Sequence, residues 1–226
     1  MSINLEFTPP IPIGREVSWG VALQRLAKRA IDYVGTALGL ILLGPLMLLI
    51  AVLIRLDSRG PVLFRQERAG LNGRNFRVFK YRTMSLDAEQ RLKDLEAHNE
   101  SAGGVLFKMR DDPRVTRLGK FLRRTSLDEL PQLFNVLRGE MSLVGPRPLQ
   151  IRDCNLLREV DAEGYARRLR VLPGVTGLWQ VSGRSEVGFR TMMRLDTDYI
   201  ERWSLWMDCR IIWQTVIVVL LGKGAY

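Results

Sequence analysis

After Asp32 the chain runs 22 residues without a charge, from Tyr33 to Ile54. As a straight α-helix this stretch reaches about 33 Å, enough to cross the hydrocarbon core of a bilayer. Two features complicate a plain span. Gly44-Pro45 sits near the middle, and Pro45 can neither donate to the Ile41 carbonyl nor avoid crowding that turn, so a kink is expected. Both flanks are basic, with Arg25, Lys28 and Arg29 before the segment and Arg55 and Arg59 after it. A spanning helix normally shows its Lys/Arg bias on one side. Two architectures therefore stay open at this point: a kinked true span, in which proline is tolerated, or a segment that enters and leaves on one face.

The two ends add to this picture. Residues 1–20 contain "TPPIPIG", which favours an extended arm, and no charged start precedes an early apolar run as in a signal peptide. Near the C-terminus, Trp203, Trp206 and Trp213 accompany the apolar run Ile211 to Leu221. Its length as a helix, about 17 Å, is too short to cross a bilayer. It suits either a helix in the membrane interface or an ordinary core helix that ends the domain.

Composition narrows the chemistry. The 226 residues suit one domain with an added membrane element, and the net charge of +10 points to phosphate-bearing partners. The two cysteines, Cys154 and Cys209, have no metal-ligand spacing and outline no disulfide framework. The single histidine, His98, lies in a charged segment and reads as a surface residue. Without a His or Cys cluster a zinc site is not expected, and chemistry rests on carboxylates, hydroxyls, Lys and Arg.

Between these ends the pattern predicts an α+β fold, mostly helical with a small β-hairpin. "PVLFRQERAGLNGRNFRVFKYRTM" over 61–84 reads as the hairpin, with Gly70 to Gly73 in its turn. "SLDAEQRLKDLEAHNE" reads as a solvated helix carrying the pairs Asp87–Arg91 and Glu89–Lys93. Residues 172–189 read as a glycine-rich loop with one short strand around Trp179.

The stretch "TSLDELPQLFNVLRGEMSLVGPRP", 125–148, embeds Asp128 and Glu129 among Arg123, Arg124, Arg138 and Arg147. One reading is helix-start chemistry: Ser126 and Glu129 match a capping box, and Asp128 would favour the helix dipole. The other starts from the surplus of guanidinium groups, which suits phosphate, with a carboxylate pair beside it for a divalent cation such as Mg²⁺. Gly145-Pro146-Arg147-Pro148 is either a rigid exposed turn or a device that aims one guanidinium.

Four segments, taken together, carry a family resemblance: "KRAIDYVGTALGLILLGPLMLLI", "GPVLFRQERAGLNGRNFRVFKYRTM", "RVTRLGKFLRRTSLDELPQLFNVLRGEMSLVGPRP" and "PGVTGLWQVSGR". The chain resembles bacterial sugar transferases of the monotopic phosphoglycosyl transferase family over roughly residues 25 to 226. Many relatives carry a multi-helix membrane region ahead of this unit; this chain, with only its arm, resembles the minimal catalytic form or a trimmed one.

The resemblance implies transfer of a sugar 1-phosphate from a UDP-sugar to undecaprenyl phosphate, with UMP released. It implies Asp128 as the nucleophile and a Mg²⁺ ligand, with Glu129 assisting. Lys80, Arg82, Arg123 and Arg147 are the expected phosphate contacts, and Gln180 and Arg184 the expected nucleotide-sugar contacts. It favours re-entry at Gly44-Pro45, although relatives commonly carry Ser where this chain has Gly44. The implied layout is an arm over 1–24, a re-entrant membrane helix over 25–57 and a cytoplasmic catalytic domain over 58–226 that ends in an interfacial amphipathic helix. Its place is the cytoplasmic face of the bacterial inner membrane. The segments "EAHNESAGGVLFKMRDDPRVTRLG" and "GKGAY" are similar to the hexose-transferring branch, implying UDP-glucose or UDP-galactose and a role in exopolysaccharide or capsule synthesis. A homodimer is compatible with the family, and no nucleic-acid partner is expected. The rival class is a membrane-tethered basic protein that binds anionic lipid or nucleic acid without catalysis; it gives no reason for Asp128-Glu129.

Overall fold

A computed structural model describes residues 19–95, 109, 111–183 and 188–221. The long apolar run forms one helix, α1, Trp19–Asp57, which starts inside the segment expected as an arm. It continues through Pro45, so the proline removes one backbone donor without ending the helix. Its inner stripe is Asp32, Thr36, Met47, Ile50 and Ile54, all buried against the rest of the chain. The opposite face leaves Leu38, Ile41, Leu42, Leu48, Leu49 and Leu53 exposed.

The hairpin forms as the turn chemistry predicts. Strands β1, Leu63–Ala69, and β2, Asn75–Tyr81, pair antiparallel from Leu63↔Tyr81 to Ala69↔Asn75. Asn72 and Gly73 take the positive φ that the reversal requires. Alternation puts Phe64, Gln66, Arg68, Phe76, Val78 and Lys80 on one face. Phe76 and Val78 on that face pack on Val136 and Met141.

The solvated helix expected over 85–100 is shorter in the described residues. Residues 86–91 form turns, and only α2, Leu92–Leu95, is helical. Asp87 and Arg91 do approach to 3.8 Å, but both are well exposed and such a pair adds little. His98 lies outside the described residues.

The remaining described elements are short. They are α3 Arg117–Arg124, α4 Gln132–Leu137, β3 Ser142–Val144, α5 Ile151–Val160, α6 Ala162–Arg168, β4 Gly174–Thr176, α7 Leu178–Val181, α8 Phe189–Glu201 and α9 Leu205–Leu221. Strands β3 and β4 pair in parallel. The strand expected around Trp179 is instead β4, and Trp179 lies on α7. Leu157 and Met192 are fully buried in a cluster with Trp179 and Phe189. Each such side chain stabilises the fold by about 1.5–3 kcal/mol.

Both ends of the long apolar stretch of α1 are tied to this one body. Near its start, Lys28 Nζ donates to Asp208 Oδ2 at 2.7 Å and to the Val144 carbonyl at 3.0 Å. Asp32 Oδ1 accepts from Ser142 Oγ and from the Leu143 N–H, each at 2.9 Å. Farther along, the Tyr81 hydroxyl donates to the Met47 carbonyl at 2.7 Å. Helix α9 turns Asp208 and Ile211 inward and leaves Trp206 and Trp213 exposed. Trp203 is not on that outer face: it is half-buried and donates from Nε1 to Asp208 at 3.0 Å.

Candidate active site

Helix α3 ends at Arg124, and the chain reverses at Ser126, which has φ 57°, the left-handed region. Its hydroxyl makes no capping bond, so the capping box expected from Ser126 and Glu129 does not form. A 3₁₀ turn, Leu127–Glu129, follows. Three residues per turn stack Leu127 and Leu130 on one side. Both pack on the cluster of Met47, Ile50, Ile54, Tyr81 and Leu122. The acids are thereby turned away from α1 and toward β2 and the 145–148 turn.

The adjacent carboxylates have different surroundings. Glu129 Oε1 accepts from Lys80 Nζ and from Arg147 Nη2, each at 2.6 Å, and Oε2 accepts from Arg147 Nη1 at 3.3 Å. Burial alone would raise its pKa, but the charges of Arg147 and Lys80 outweigh that and hold it well below the ordinary glutamate range. Asp128 is buried, and no hydrogen bond to its carboxylate occurs among the described residues. Burial pushes its pKa up to about 6; Lys80 opposes this and the Glu129 charge adds to it. One acid is a fixed anion that gathers two cations. The other is a carboxylate with free lone pairs in their field.

The cations are themselves placed by the fold. Lys80 comes from β2, on the strand face turned to the site. Burial lowers its pKa and Glu129 offsets part of that. Arg123, at the end of α3, donates from Nε to Thr83 Oγ1 at 3.0 Å; burial lowers its pKa and the Asp128 charge offsets part of that. The Arg147 guanidinium stands 5.8 Å over the Trp179 ring. Asn135, fully buried on α4, accepts from the Phe79 N–H at 3.0 Å and donates to the Arg77 carbonyl at 2.8 Å. It locks the hairpin to the helix that follows the acids.

Not every expected residue joins this group. Arg82 is turned to α1: it donates to the Arg59 carbonyl and the Ser58 carbonyl, each at 2.8 Å, and to Ser58 Oγ at 2.9 Å. Gln180 is buried on α7 with its Oε1 unpaired, next to Trp179. Arg184 lies outside the described residues. Sequence reasoning missed Trp179, Thr83, Asn135 and Arg68. Strand alternation around Lys80 was a signal for Arg68; the others are joined to the site by contacts that no local pattern encodes.

Among the described residues no three His, Cys, Asp or Glu side chains converge as a ready cage. Of the two site acids Asp128 offers a carboxylate without a donor among the described residues, since Glu129 is taken by Lys80 and Arg147. A single carboxylate, completed by water and phosphate oxygens, fits Mg²⁺, which keeps several waters, and not a structural zinc.

Three relatives place this arrangement in context. The galactosyl transferase CpsE of Streptococcus agalactiae serotype III (strain NEM316) is 48% identical over 201 residues, 88% of this chain and 43% of that protein. The UDP-glucose:undecaprenyl-phosphate glucose-1-phosphate transferase of Xanthomonas campestris pv. campestris is 46% identical over 206 residues, 89% of this chain and 40% of that protein. The chain thus spans about two fifths of the length of these curated relatives. Against the exopolysaccharide production protein ExoY of Sinorhizobium fredii (strain NBRC 101917 / NGR234) it is 42% identical over 204 residues, with 89% of this chain and 88% of that protein covered. The family model described as bacterial sugar transferase matches residues 23–222, which takes in α1 from its fifth residue on, the hairpin, both turns of the site and α9, and the chain belongs to that family.

Proposed function

We propose that the chain moves a sugar 1-phosphate from a UDP-sugar to undecaprenyl phosphate by way of a covalent phosphosugar on Asp128, releasing UMP. The observation that carries this reading is the unequal acid pair: Glu129 is committed to two cations while Asp128, beside them, accepts no hydrogen bond among the described residues. A nucleophile needs those unshared lone pairs, and a purely structural acid does not. An Asp128 oxygen bonds to the sugar-bearing phosphorus, the bond from that phosphorus to the bridging oxygen breaks, and UMP leaves. A phosphate oxygen of the lipid then bonds to the same phosphorus and the Asp128 carboxylate is restored. Lys80 and Arg147 each keep unused N–H donors, which can meet the phosphate oxygens as charge builds on them. Mg²⁺, held through Asp128, would supply further charge neutralisation. Relatives named for glucose and for galactosyl transfer support a hexose donor, and the likeness to ExoY supports exopolysaccharide synthesis.

The same reading puts α1 in the membrane by one face and the catalytic body on the cytoplasmic side. From Lys28 to Ile54 the helix keeps contact with one globular unit, over about 39 Å of its length. These contacts along one side of the helix support a segment that stays with the body and does not cross alone. Its outer row of leucines, with Trp206 and Trp213 on α9, matches an apolar surface sunk into one leaflet. Cationic residues on both flanks would then stay at one anionic surface.

The direct test is incubation with a panel of UDP-sugars, Mg²⁺ and undecaprenyl phosphate, reading UMP. Release with a UDP-hexose, lost on chelation, is expected; no release with any donor overturns the reading. Topology is tested separately in a variant lacking Cys154 and Cys209, with single cysteines at Gly20 and Asp87. An impermeant thiol reagent should label neither in intact cells. Labelling of position 20 alone means that α1 spans.

A further inference from the structure

The Gly145-Pro146-Arg147-Pro148 turn poses a problem of anchorage. Pro146 and Pro148 have no N–H, so the turn cannot be held by a regular ladder. Two backbone bonds remain: Gly145 N–H to the Thr176 carbonyl at 2.9 Å, and Gly174 N–H to the Pro146 carbonyl at 2.9 Å. The next two carbonyls belong to Arg147 and Pro148, and each is taken by a guanidinium from elsewhere. Arg168 of α6 donates from Nη2 to the Arg147 carbonyl at 2.6 Å. Arg68 of β1 donates from Nη1 to the Pro148 carbonyl at 3.1 Å.

Both guanidiniums are unusual tools for such a task. Arg168 is 7% exposed and pairs through Nη1 with Asp196, itself 1% exposed. Arg68 is fixed through Nη2 to Gln66 Oε1 at 2.5 Å, and burial, with the Arg147 charge, lowers its pKa to about 10. Burying an ion pair such as Arg168–Asp196 is a weak way to gain stability, because desolvation consumes most of the attraction. It is a good way to fix a carbonyl, because a guanidinium fork held by one partner points its remaining donors in a set direction. The Arg147 side chain leaves this clamped backbone, passes over Trp179 and meets Glu129.

We propose that Arg168, backed by the buried Asp196 carboxylate, and Arg68, held by Gln66, are positioning residues that aim the Arg147 guanidinium at the substrate's phosphates. The proposal rests on the transferase reading for what those phosphates are. Neither residue touches the reacting atoms; each acts through the turn. Misplacing a catalytic group by about 1 Å costs on the order of a hundredfold in rate, which sets the size of effect to look for.

The test separates aim from stability. Arg168→Met alone strands Asp196 in the interior and is expected to unfold part of the protein. The paired replacement Arg168→Met with Asp196→Leu removes both charges and refills the space, which is commonly neutral or stabilising. This double variant should melt at or above the wild-type temperature and still release UMP at least tenfold more slowly. Adding Arg147→Ala to it should cost little beyond Arg147→Ala alone, because the clamp acts only through that side chain. Arg68→Gln, which keeps a donor for Pro148, should lose less than Arg68→Met. A double variant that turns over like wild type, or whose loss adds fully to that of Arg147→Ala, overturns the clamp. A wild type that releases no UMP with any UDP-sugar overturns the transferase reading instead. The clamp is then judged by pyrophosphate binding: weaker binding to the double variant sustains it, and equal binding overturns it.

Discussion

The two turns that build the site are held by opposite means. The turn at 125–131 is anchored by apolar side chains, Leu127 and Leu130, against the inner stripe of α1. The turn at 145–148 is anchored by two guanidiniums on its carbonyls, that of the buried Arg168 and that of the half-buried Arg68. Apolar contact is non-directional and fixes which way a turn faces. Hydrogen bonds to consecutive carbonyls fix where one side chain ends. In the proposed reaction the attacking acid needs orientation and open lone pairs, whereas a cation that meets phosphate oxygens in one geometry needs its backbone held.

The strongest way to break this comparison is Asp128→Asn. Turnover should vanish, because an amide cannot form the phosphosugar ester, while the melting temperature should not fall. Normal UMP release by this variant would return Asp128 to a purely structural role. The neighbouring change, Glu129→Gln, should leave some activity but release Lys80 and Arg147. It should lower stability by about 1–3 kcal/mol, since a buried charged network loses its anion. A chemical melt of each variant ranks them.

A change of pH sharpens the same contrast. The proposed attack requires an ionised Asp128, and its pKa is raised to about 6, so UMP release should fall as the pH drops through about 6. Glu129, held below the ordinary range, stays charged throughout that window. For stability the sign is opposite for Asp128. A raised acid pKa means that the native state binds its proton more tightly than the unfolded chain, so ionisation above about 6 works against folding. Asp128→Asn should therefore be the more stable protein above pH 6. Its advantage should shrink as the pH falls from 6 toward the ordinary aspartate value, and paired melts across that range measure it.

The smallest expected effect is at Ser126. Its hydroxyl caps nothing, and its backbone sits in the left-handed region that glycine tolerates best. Ser126→Gly should keep full activity and change stability by no more than about 1 kcal/mol. A larger loss would mean that the side chain contributes a bond after all.

The amino-acid sequence by itself determined the strongly local features. The uncharged run became α1, and glycines at 70–73 became the hairpin turn. The density of arginine around Asp128 and Glu129 marked the site. Each follows from periodicity, turn chemistry or charge within a short window. Other assignments depended on contacts across the chain. Ser126 and Glu129 spell a capping box, yet Glu129 is drawn instead to Lys80, 49 positions away, and to Arg147, 18 positions away. Arg82 looks like a phosphate ligand in sequence but closes the end of α1. Arg168 and Asp196 carry no motif; with Arg68 they become a pair of anchors only when β1, α6 and α8 bring them to one turn. The reason is physical: a charged side chain in a folded interior goes to whichever partner offsets its desolvation best, and tertiary packing decides which partner is within reach.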